Sequence, residues 1–481
     1  MWELEKFSSS PALTGEDKTV ITYEGLITEG KKIYDEIGRR CLVFCMCRNE
    51  LGSILGYVSF LEHGVVPVLL SASIDKELLT HLLDVYKPSF IWHPGTGDEC
   101  HFDTLGTEVE CHFEPKYSAY GYTLFSTGFE KEYELNEDLA LLLTTSGSTG
   151  SPKLVRQSYK NVLANATSIA QYLELTADER PITTLPMNYT YGLSIINSHL
   201  LVGANILVTE KGLMQKDFWT FFKEYEATSF GGVPYTYEML EKLRFFRMDL
   251  PSLRYMTQAG GKLTVELHKK CAEYAAEKGK KFIVMYGQCE ATARMGYLPA
   301  EQALAKIGSM GVAIPGGTFH LIDEKDEVIT EPEVTGELIY KGENVTLGYA
   351  EKGEDLALSD ERYGVLHTGD MAKRDADGFY YIVGRKKRFL KIYGNRVNLD
   401  EVERLIKGHF DVSDAACGGI DDHMFLFVTD QNIAEDVKKF VAMKTGLNPV
   451  AFKAVVIDEI PKNDSGKTLY KELEKYYGIA D

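Results

Sequence analysis

LLLTTSGSTGSPK, residues 141–153, joins an apolar run to a loop rich in threonine, serine and glycine. The leucines predict a buried strand, and the glycines allow the backbone after it to turn its N–H groups toward an anion. Lys153 adds a positive charge, and hydroxyl donors are present at Thr144, Thr145, Ser146, Ser148 and Thr149. The stretch therefore predicts a phosphate-binding loop at the end of a strand. A flexible linker is the competing interpretation, and it is disfavoured because linkers rarely follow a buried strand directly.

The loop is not a Walker A motif, because the pattern G-x-x-x-x-G-K-[ST] does not occur in it. A second stretch, PKNDSGKTLY at 461–470, ends like that motif. Pro461 stands where its first glycine is required, so a P-loop NTPase is excluded on this count.

Strand-like and helix-like runs alternate on both sides of the loop. CLVFCMC at 41–47 reads as a strand and ELGSILGYVSFLEHG at 50–64 as a helix, and the pattern returns between about 204 and 287. This alternation predicts an α/β chain with largely parallel sheets. From about residue 305 short β-rich runs predict a barrel-like subdomain, and the last 90 or so residues predict a small α+β domain. We expect a large N-terminal domain at 1–385 and a small C-terminal lid domain at 386–481.

The composition limits the classes of partner that the chain is expected to bind. Its 481 residues include 52 Lys and Arg against 71 Asp and Glu, a net charge of −19, which disfavours broad binding to nucleic acid or anionic membranes. We see no signal peptide in MWELEKFSSS and no apolar run long enough to span a bilayer, so we expect a cytoplasmic protein. The eight cysteines show no spacing typical of zinc sites or disulfides, which favours reduced thiols.

Further motifs follow the loop in a fixed order. They are QAGGKL at 258–263, YGQCEAT at 286–292, GELIYKGENVTLGY at 336–349, LHTGDMAKRDADGFYYIVGR at 366–385, GRKKRFLKIYGNRVNLDEVE at 384–403, and PKNDSGKTLY. Together with the loop they resemble the adenylate-forming (AMP-binding) superfamily of acyl-CoA synthetases, aryl-CoA ligases, nonribosomal adenylation domains and luciferases. The resemblance covers at least residues 141–470.

The resemblance implies ATP-dependent activation of a carboxylate to an acyl-adenylate with release of pyrophosphate, then thioester formation with coenzyme A. It implies catalytic roles for Thr145, Glu290 and Lys467, with Mg²⁺ bound by Glu290. Tyr286 would stack on adenine, and Asp370, helped by Arg385, would hold the ribose. The full set of nucleotide- and cofactor-binding residues that it implies is Thr144, Ser146, Gly147, Ser148, Thr149, Gly150, Lys153, Ala259, Gly260, Gly261, Tyr286, Gly287, Gln288, Cys289, Asp370, Ile382, Arg385, Lys391 and Gly394.

The chemistry of this reaction is consistent with a catalytic role for a lysine near the C-terminus. A carboxylate that attacks the ATP α-phosphate brings two anions together, and a flexible ammonium such as Lys467 can bridge both. The resemblance also implies that the small domain rotates on the hinge residue Lys387, withdraws Lys467, and presents Lys391–Gly394 for the second step. A solvated basic segment is the alternative for RKKRFLK.

Departures from the family pattern concern the substrate. Cys289 replaces the usual threonine, and Leu154 replaces a glycine after Lys153. Asn188-Tyr189 replaces the aromatic-histidine pair beside the acyl pocket, for which we predict Tyr189, Tyr191 and Gly192 as lining residues. Amino-acid-activating members carry an aspartate at the position of Gly192, and a buried ammonium without a carboxylate is costly. We therefore expect a carboxylic acid other than an α-amino acid.

Two alternatives remain open from the sequence. The acceptor of the acyl group is coenzyme A or the phosphopantetheine arm of a separate carrier protein. A non-catalytic nucleotide-binding regulatory protein is the alternative of another class, which the joint presence of Lys153, Glu290, Asp370, Arg385 and Lys467 disfavours.

Overall fold

The computed structural model describes residues 1–95, 113–144, 153–393, 395–410, 412, 414–462 and 468–477. The helices of these residues are α1 Tyr23–Ile37, α2 Leu51–Glu62, α3 Lys76–Tyr86, α4 Tyr159–Leu173, α5 Thr190–Leu201, α6 Lys216–Glu224, α7 Pro234–Lys242, α8 Val265–Glu277, α9 Leu399–Phe410, α10 Ala434–Thr445 and α11 Tyr470–Leu473. In that part of the chain, no helix has both the length and the hydropathy needed to cross a bilayer.

The strands of the same residues are β1 Pro11–Gly15, β2 Val20–Thr22, β3 Leu42–Cys47, β4 Val66–Ser71, β5 Phe90–Pro94, β6 Glu114–Ala119, β7 Tyr122–Ser126, β8 Leu139–Thr144, β9 Leu154–Ser158, β10 Ile206–Val208, β11 Ser229–Gly232, β12 Tyr255–Gln258, β13 Lys281–Tyr286, β14 Gly296–Tyr297, β15 Val312–Ala313, β16 Thr318–Ile322, β17 Val328–Ile329, β18 Gly336–Lys341, β19 Gly348–Ala350, β20 Val365–Arg374, β21 Tyr380–Arg385, β22 Phe389–Ile392, β23 Asn395–Asn398, β24 Ala415–Ile420, β25 His423–Val428 and β26 Phe452–Val456.

The described residues divide into two compact units. The first unit holds those of 1–144 and 153–319 together with Tyr340–Leu366, and the second holds His320–Ile339 and those from 367 onward. The domain boundary at 385/386 stays a prediction.

The eight-stranded sheet of the first unit has the strand order β19-β9-β8-β4-β3-β5-β7-β6. Its centre is parallel, because β4 pairs in parallel with β3 and β8, and β3 with β5. Its edges are antiparallel, because β8 and β9, like β6 and β7, are joined by connections too short for a crossover. The predicted α/β class is confirmed, and the predicted parallel pairing holds for the centre of the sheet.

A second sheet of the first unit has the order β11-β12-β13-β14-β15, and its first three strands are parallel. β12 ends at Gln258 and β13 at Tyr286, so the turns that follow them lie at the same edge of the sheet. These turns carry the motifs QAGGKL and YGQCEAT. Parallel pairing thus places two distant motifs side by side.

Helix α4 begins directly after β9 and holds a neighbouring loop. Its start is a capping box, in which Ser158 Oγ accepts from the Asn161 N–H and the Asn161 side chain accepts from the Ser158 N–H. Asn161 Nδ2 also donates to the carbonyls of Glu343 at 2.7 Å and Val345 at 2.8 Å. The helix start therefore fixes the 343–345 loop, which leads into β19.

Arg156 of β9 is fully buried and ties β9 to the chain around β19. Its guanidinium donates to the carbonyls of Tyr349 at 2.9 Å and Leu347 at 3.3 Å, to those of Leu358 and Ser359, and to the Glu361 carboxylate at 2.5 Å. A buried cation with a carboxylate and several carbonyl acceptors is fully paired. Arg156 is therefore a structural arginine.

The second unit contains most of a five-stranded sheet with the order β17-β16-β18-β20-β21. After the β22–β23 hairpin, β24, β25 and β26 form a separate sheet that shares a hydrophobic core with α9 and α10. The β-rich segment after residue 305 and the small α+β region that follows it are confirmed.

Candidate active site

The glycine-rich loop leaves the eight-stranded sheet between two paired strands. Thr144 at the end of β8 and Leu154 at the start of β9 are register partners, so both ends of the loop are held at the carboxyl end of β8. The predicted phosphate ligands Thr145, Ser146, Gly147, Ser148, Thr149 and Gly150 lie outside the described residues, and their roles stay predictions.

Lys153, directly before β9, is exposed and faces two residues of the β19 segment. Its Nζ lies 2.5 Å from a carboxylate oxygen of Glu351 and 5.5 Å from the centre of the Tyr349 ring. An ion pair between two exposed side chains contributes about 1 kcal/mol or less. Lys153 can therefore exchange Glu351 for a phosphate oxygen at little cost.

Glu290 lies in a single 3₁₀ turn, Cys289–Ala291, and is half-buried. Its Oε1 accepts a hydrogen bond from the Tyr349 hydroxyl at 2.7 Å. Its carbonyl accepts from the N–H and the hydroxyl of Thr346, each at 3.0 Å, and from Arg362 Nη1 at 3.2 Å. The other carboxylate oxygen accepts no hydrogen bond from the described residues, so Glu290 presents one oxygen from a fixed backbone.

Tyr349 and Arg362 support this carboxylate from one side. The Arg362 guanidinium lies 4.6 Å from the centre of the Tyr349 ring and also donates to the Thr346 hydroxyl. Burial, followed by the Glu290 carboxylate, raises the pKa of the Tyr349 hydroxyl to about 12. Tyr349 therefore stays a donor to Glu290 over the physiological pH range.

The turn that carries Glu290 is tight and strained. A Cβ on Gly287 would lie 1.7 Å from the Ala293 carbonyl oxygen, so only glycine fits there. Thr292 has φ 66° and ψ −57°, a γ-turn conformation that is costly for a threonine, and the Ala293 N–H donates to the Ala291 carbonyl at 2.7 Å. The Thr292 hydroxyl donates to the Asn344 carbonyl at 2.7 Å, which helps to hold the turn.

Tyr286, predicted to stack on adenine, is half-buried at the end of β13. Its ring centre lies 6.3 Å from that of Phe319 in an edge-on contact, and its hydroxyl accepts from Gln288 Nε2 at 3.3 Å. These two contacts restrain the ring, and its stacking on adenine stays a prediction.

The turn after β12 meets the start of α5. Gly260 has φ 82°, and a Cβ there would lie 2.9 Å from the Tyr189 hydroxyl. The Gln258 amide donates to the carbonyls of Ala259 at 3.1 Å and Gly261 at 2.8 Å, which closes this turn. Tyr189 thus reaches from α5 to the turn of the second motif.

Cys289 also contacts the start of α5. Its sulfur lies 3.6 Å from the Thr190 hydroxyl, so a hydroxyl is present beside the position where the family carries threonine. Burial, followed by Cys289, raises the pKa of Tyr189 to about 12, so its phenol remains neutral.

Tyr191 and Gly192 shape the interior of the predicted pocket. Tyr191 is buried, and its hydroxyl donates to Thr257 Oγ1 at 2.7 Å. A Cβ on Gly192 would lie 2.3 Å from the Pro186 carbonyl oxygen. Packing therefore requires glycine at 192 and leaves no room for a carboxylate side chain.

In the second unit, Asp370 and Arg385 are register partners on β20 and β21. Asp370 is only 4% exposed, its carboxylate lies 3.3 Å from Arg385 Nε, and its N–H donates to the Thr368 hydroxyl at 3.1 Å. Ile382, also predicted at the nucleotide, is half-buried on β21. The pair presents a carboxylate held by a cation, a group suited to accept from ribose hydroxyls.

Four predicted residues of the C-terminal region cannot be placed. Gly394 and Lys467, and the side chains of Lys387 and Lys391, lie outside the described part of the chain. Their roles in the two reaction steps and at the hinge stay predictions.

The donor set around Glu290 fits a magnesium ion that arrives with a nucleotide. No group of three or more potential His, Cys, Asp or Glu ligands occurs among the described residues. Mg²⁺ is commonly held by one or two carboxylates together with substrate phosphates and water. Glu290, with one oxygen fixed and the other available, meets that requirement.

The sequence profile of the family described as AMP-binding enzyme matches residues 36–350. The chain therefore belongs to the AMP-binding enzyme family, and the predicted family and enzyme class are confirmed. A 2-succinylbenzoate–CoA ligase of Bacillus mycoides (strain KBAB4) is 29% identical over 441 residues, which cover 89% of this chain and 86% of the relative. One of Bacillus cereus (strain ATCC 14579) is 28% identical over 456 residues, with 92% and 89% covered.

Solved structures show the same fold. The O-succinylbenzoate coenzyme A synthetase (MenE) from Bacillus subtilis in complex with AMP has a TM-score of 0.77 and 23% identity, with 98% of this chain and 96% of that chain covered. ATP-bound MatB from Rhodopseudomonas palustris has a TM-score of 0.75 and 21% identity, with 98% and 97% covered. The predicted fold class is confirmed by these matches.

Sequence reasoning missed the residues that hold the site in place. Tyr349 is the last residue of the motif GELIYKGENVTLGY, but the motif does not indicate that its hydroxyl binds Glu290. Arg362 and Arg294 lie beside or beyond the motifs, and neither carries a local pattern that indicates a role.

Proposed function

We propose that this chain is an ATP-dependent carboxylate–coenzyme A ligase that forms an acyl-adenylate. The observation that carries the proposal is the position of Tyr349. Its ring lies 5.5 Å from the ammonium of Lys153, which follows the glycine-rich loop, and its hydroxyl binds the Glu290 carboxylate at 2.7 Å. A triphosphate on the loop would thus meet a lysine and a metal-binding carboxylate that both lie against one side chain.

In the first step a carboxylate oxygen attacks the α-phosphorus of ATP, an O–P bond forms, and the bond to pyrophosphate breaks. Lys153 and Lys467 bind the anionic oxygens that approach one another. Tyr286 stacks on adenine, and Asp370 with Arg385 binds the ribose. When bound at Glu290, Mg²⁺ supplies neutralising charge to the phosphate oxygens.

In the second step the thiol of coenzyme A loses its proton to water and attacks the acyl carbon. A C–S bond forms, and AMP leaves with the electrons of the C–O bond. Coenzyme A is favoured as the acceptor because the relatives above are named as CoA ligases. A carrier protein is the alternative acceptor. The availability of ATP and coenzyme A in the cytoplasm makes that the proposed compartment.

The acid is proposed to be a carboxylic acid without an α-ammonium group. At Gly192, where amino-acid-activating members carry an aspartate, a Cβ would already overlap the Pro186 carbonyl. The relatives' acid, 2-succinylbenzoate, is the first candidate.

Pyrophosphate release from Mg·ATP tests the proposal with 2-succinylbenzoate and with fatty, short-chain, aryl and α-amino acids. We expect release with a non-amino acid and a thioester with coenzyme A. Glu290→Gln should lower the rate roughly 100-fold or more, and the exposed Glu301→Gln should not. Activity with amino acids alone contradicts the proposed acid, and thioester only on a holo-carrier contradicts the acceptor. No release with any acid favours a non-catalytic nucleotide-binding protein.

A further inference from the structure

Arg294 lies four residues after Glu290 and is only 3% exposed. Its Nε donates to Ser194 Oγ at 3.1 Å, and its Nη1 donates to the Tyr172 hydroxyl at 3.0 Å. The guanidinium carbon lies 5.3 Å from the centre of the Tyr191 ring. All three partners are neutral.

Arg294 differs in this respect from the other deeply buried arginine of the first unit. Arg156 has the Glu361 carboxylate at 2.5 Å, whereas no carboxylate of the described residues lies within ion-pair distance of Arg294. Its Nη2 donates to no acceptor among the described residues. A buried charge without an opposite charge is costly, so the fold maintains Arg294 at a cost that packing does not explain.

The surroundings of Arg294 border the predicted acyl pocket. Tyr172 stacks on Tyr297 with ring centres 4.2 Å apart, and both rings are half-buried against an apolar cluster that includes Ala259 and Met285. The ring of Tyr191 contacts the guanidinium, and its centre lies 6.3 Å from that of Tyr189. Arg294 thus lies among neutral aromatic and hydroxyl side chains, one of which, Tyr191, is a predicted lining residue of the acyl pocket.

Helix α5 sets the distance between Arg294 and the reacting end of the pocket. Thr190 contacts Cys289, next to Glu290, and Ser194 contacts Arg294 one turn further along the helix. Four residues of α-helix rise about 6 Å. An acid whose reacting carboxylate lies near Cys289 would therefore place a group about 6 Å away next to Arg294.

The nearby histidine does not supply a competing charge. His199 accepts from the Tyr255 hydroxyl at 3.0 Å and donates to the Ile195 carbonyl at 2.7 Å. Burial, followed by the charge of Arg294, lowers its pKa to about 3, so the imidazole is neutral. His199 therefore adds no positive charge to that of Arg294.

We propose that Arg294 binds a second anionic group of the substrate, so that this ligase activates one carboxylate of a dicarboxylic acid. The inference rests on the proposed function and narrows its substrate class. A guanidinium binds a carboxylate by two parallel hydrogen bonds, which would use Nη2 and offset the buried charge. An acid that lacks the second carboxylate would leave Arg294 unpaired.

Matched acids test this inference. 2-Succinylbenzoate and 3-benzoylpropionate share the keto acid and differ in the ring carboxylate, and adipate and hexanoate form an aliphatic pair. The readout is the ratio of kcat/KM for the diacid to that for the monoacid, because a general loss of activity cancels in it. We expect a ratio of at least about 10 in the wild type for one pair, and a ratio near one in Arg294→Gln.

Arg294→Lys keeps the charge but cannot form the bidentate pair of hydrogen bonds. Its ratio of kcat/KM for the diacid to that for the monoacid should be several-fold below the wild-type value. It replaces Arg294→Gln if that variant does not fold. Arg247→Gln makes the same change on the surface and should leave the ratio unchanged. A wild-type ratio near one for both pairs, or an undiminished ratio in the Arg294 variants, overturns the inference while leaving the ligase function in place.

Thermal stabilisation by the same acids without ATP adds a readout that does not need catalysis. We expect the diacid to raise the Tm of the wild type and not that of Arg294→Gln. Absence of pyrophosphate release with every acid would contradict the proposed function. In that case the thermal shift would still show whether Arg294 binds the second carboxylate. Equal shifts in wild type and Arg294→Gln overturn it.

Discussion

Tyr349 connects two charged groups of the candidate nucleotide site through one phenol. Its ring faces Lys153, and its hydroxyl donates to Glu290, while Arg362 covers the ring at 4.6 Å. A carboxylate with one oxygen held in this way loses less rotational freedom when the other binds a cation. Tyr349 is therefore a positioning residue for Glu290.

Tyr349→Phe tests this role, because it removes the hydroxyl and keeps the ring. A hydrogen bond to a charged group is worth about 1.5–3 kcal/mol, and the half-exposed site places this one at the lower end. We expect the Mg²⁺ concentration for half-maximal pyrophosphate release to rise about tenfold. Tyr363→Phe is the matched control, since Tyr363 is 80% exposed. An unchanged magnesium dependence in Tyr349→Phe would contradict the role.

At this scale the sequence predicted Glu290 but not the residues that hold it. Tyr349 is 59 residues from Glu290, and Tyr172 is 122 residues from Arg294. The identity of Glu290 follows from a local motif, whereas its partners are brought to it by the folding of distant segments. Motif spacing carries no information about such contacts.

The turn between β13 and β14 is the element that sets the position of Glu290. Gly287 packs against the Ala293 carbonyl, and Thr292 takes a strained conformation. Such strain persists only where the surrounding structure holds the backbone in place. Here Asn344 Nδ2 donates to the Ala291 carbonyl, and Asn165 Nδ2 donates to the Arg294 carbonyl at 2.8 Å. The geometry of Glu290 therefore depends on a whole element.

Gly287→Ala should disrupt this element. The added methyl overlaps the Ala293 carbonyl, and overpacking against backbone is expected to cost at least about 2 kcal/mol of unfolding free energy. Chemical denaturation measures the loss. Gly408→Ala is the control, because nothing lies within 4 Å of its Cβ position in α9, and it should stabilise by up to about 1 kcal/mol. Equal stability of Gly287→Ala and wild type would refute the tight turn.

Elements were predicted well from periodicity, and pairing direction less well. The runs read as α2 and β3 appear at Leu51–Glu62 and Leu42–Cys47. The antiparallel edges at β9 and β7 follow from short connections and from partners far along the chain, such as β19. Local hydrophobic patterns specify a strand but not its neighbour.

For the molecule as a whole, the proposed reaction requires residues from early and late motifs of the sequence. The first unit carries Lys153, Glu290 and Tyr286, and the second carries Asp370 and Arg385. Lys467 follows them in sequence, and its predicted role is confined to adenylate formation.

Lys467→Ala should therefore separate the two half-reactions. We expect pyrophosphate release to fall by at least about 100-fold, because the approaching anions lose their bridging cation. Thioester formation from a supplied acyl-adenylate and coenzyme A should change little. Lys475→Ala is the control, because Lys475 is exposed and lies eight residues further along the chain. Equal losses in both half-reactions would contradict a role limited to the first step.

The pairing of Arg156 has a consequence for biosynthesis. One of its carbonyl acceptors, Leu358, is 202 residues further along the chain. At roughly 5–20 residues per second, translation needs roughly 10–40 s to supply that acceptor after Arg156 has been made. During this interval the edge of β9 that later pairs with β19 is unpaired, and the Arg156 guanidinium lacks its carbonyl acceptors from the later segment. An unpaired strand edge can associate with other chains, and slow translation lengthens the time for which this edge is open.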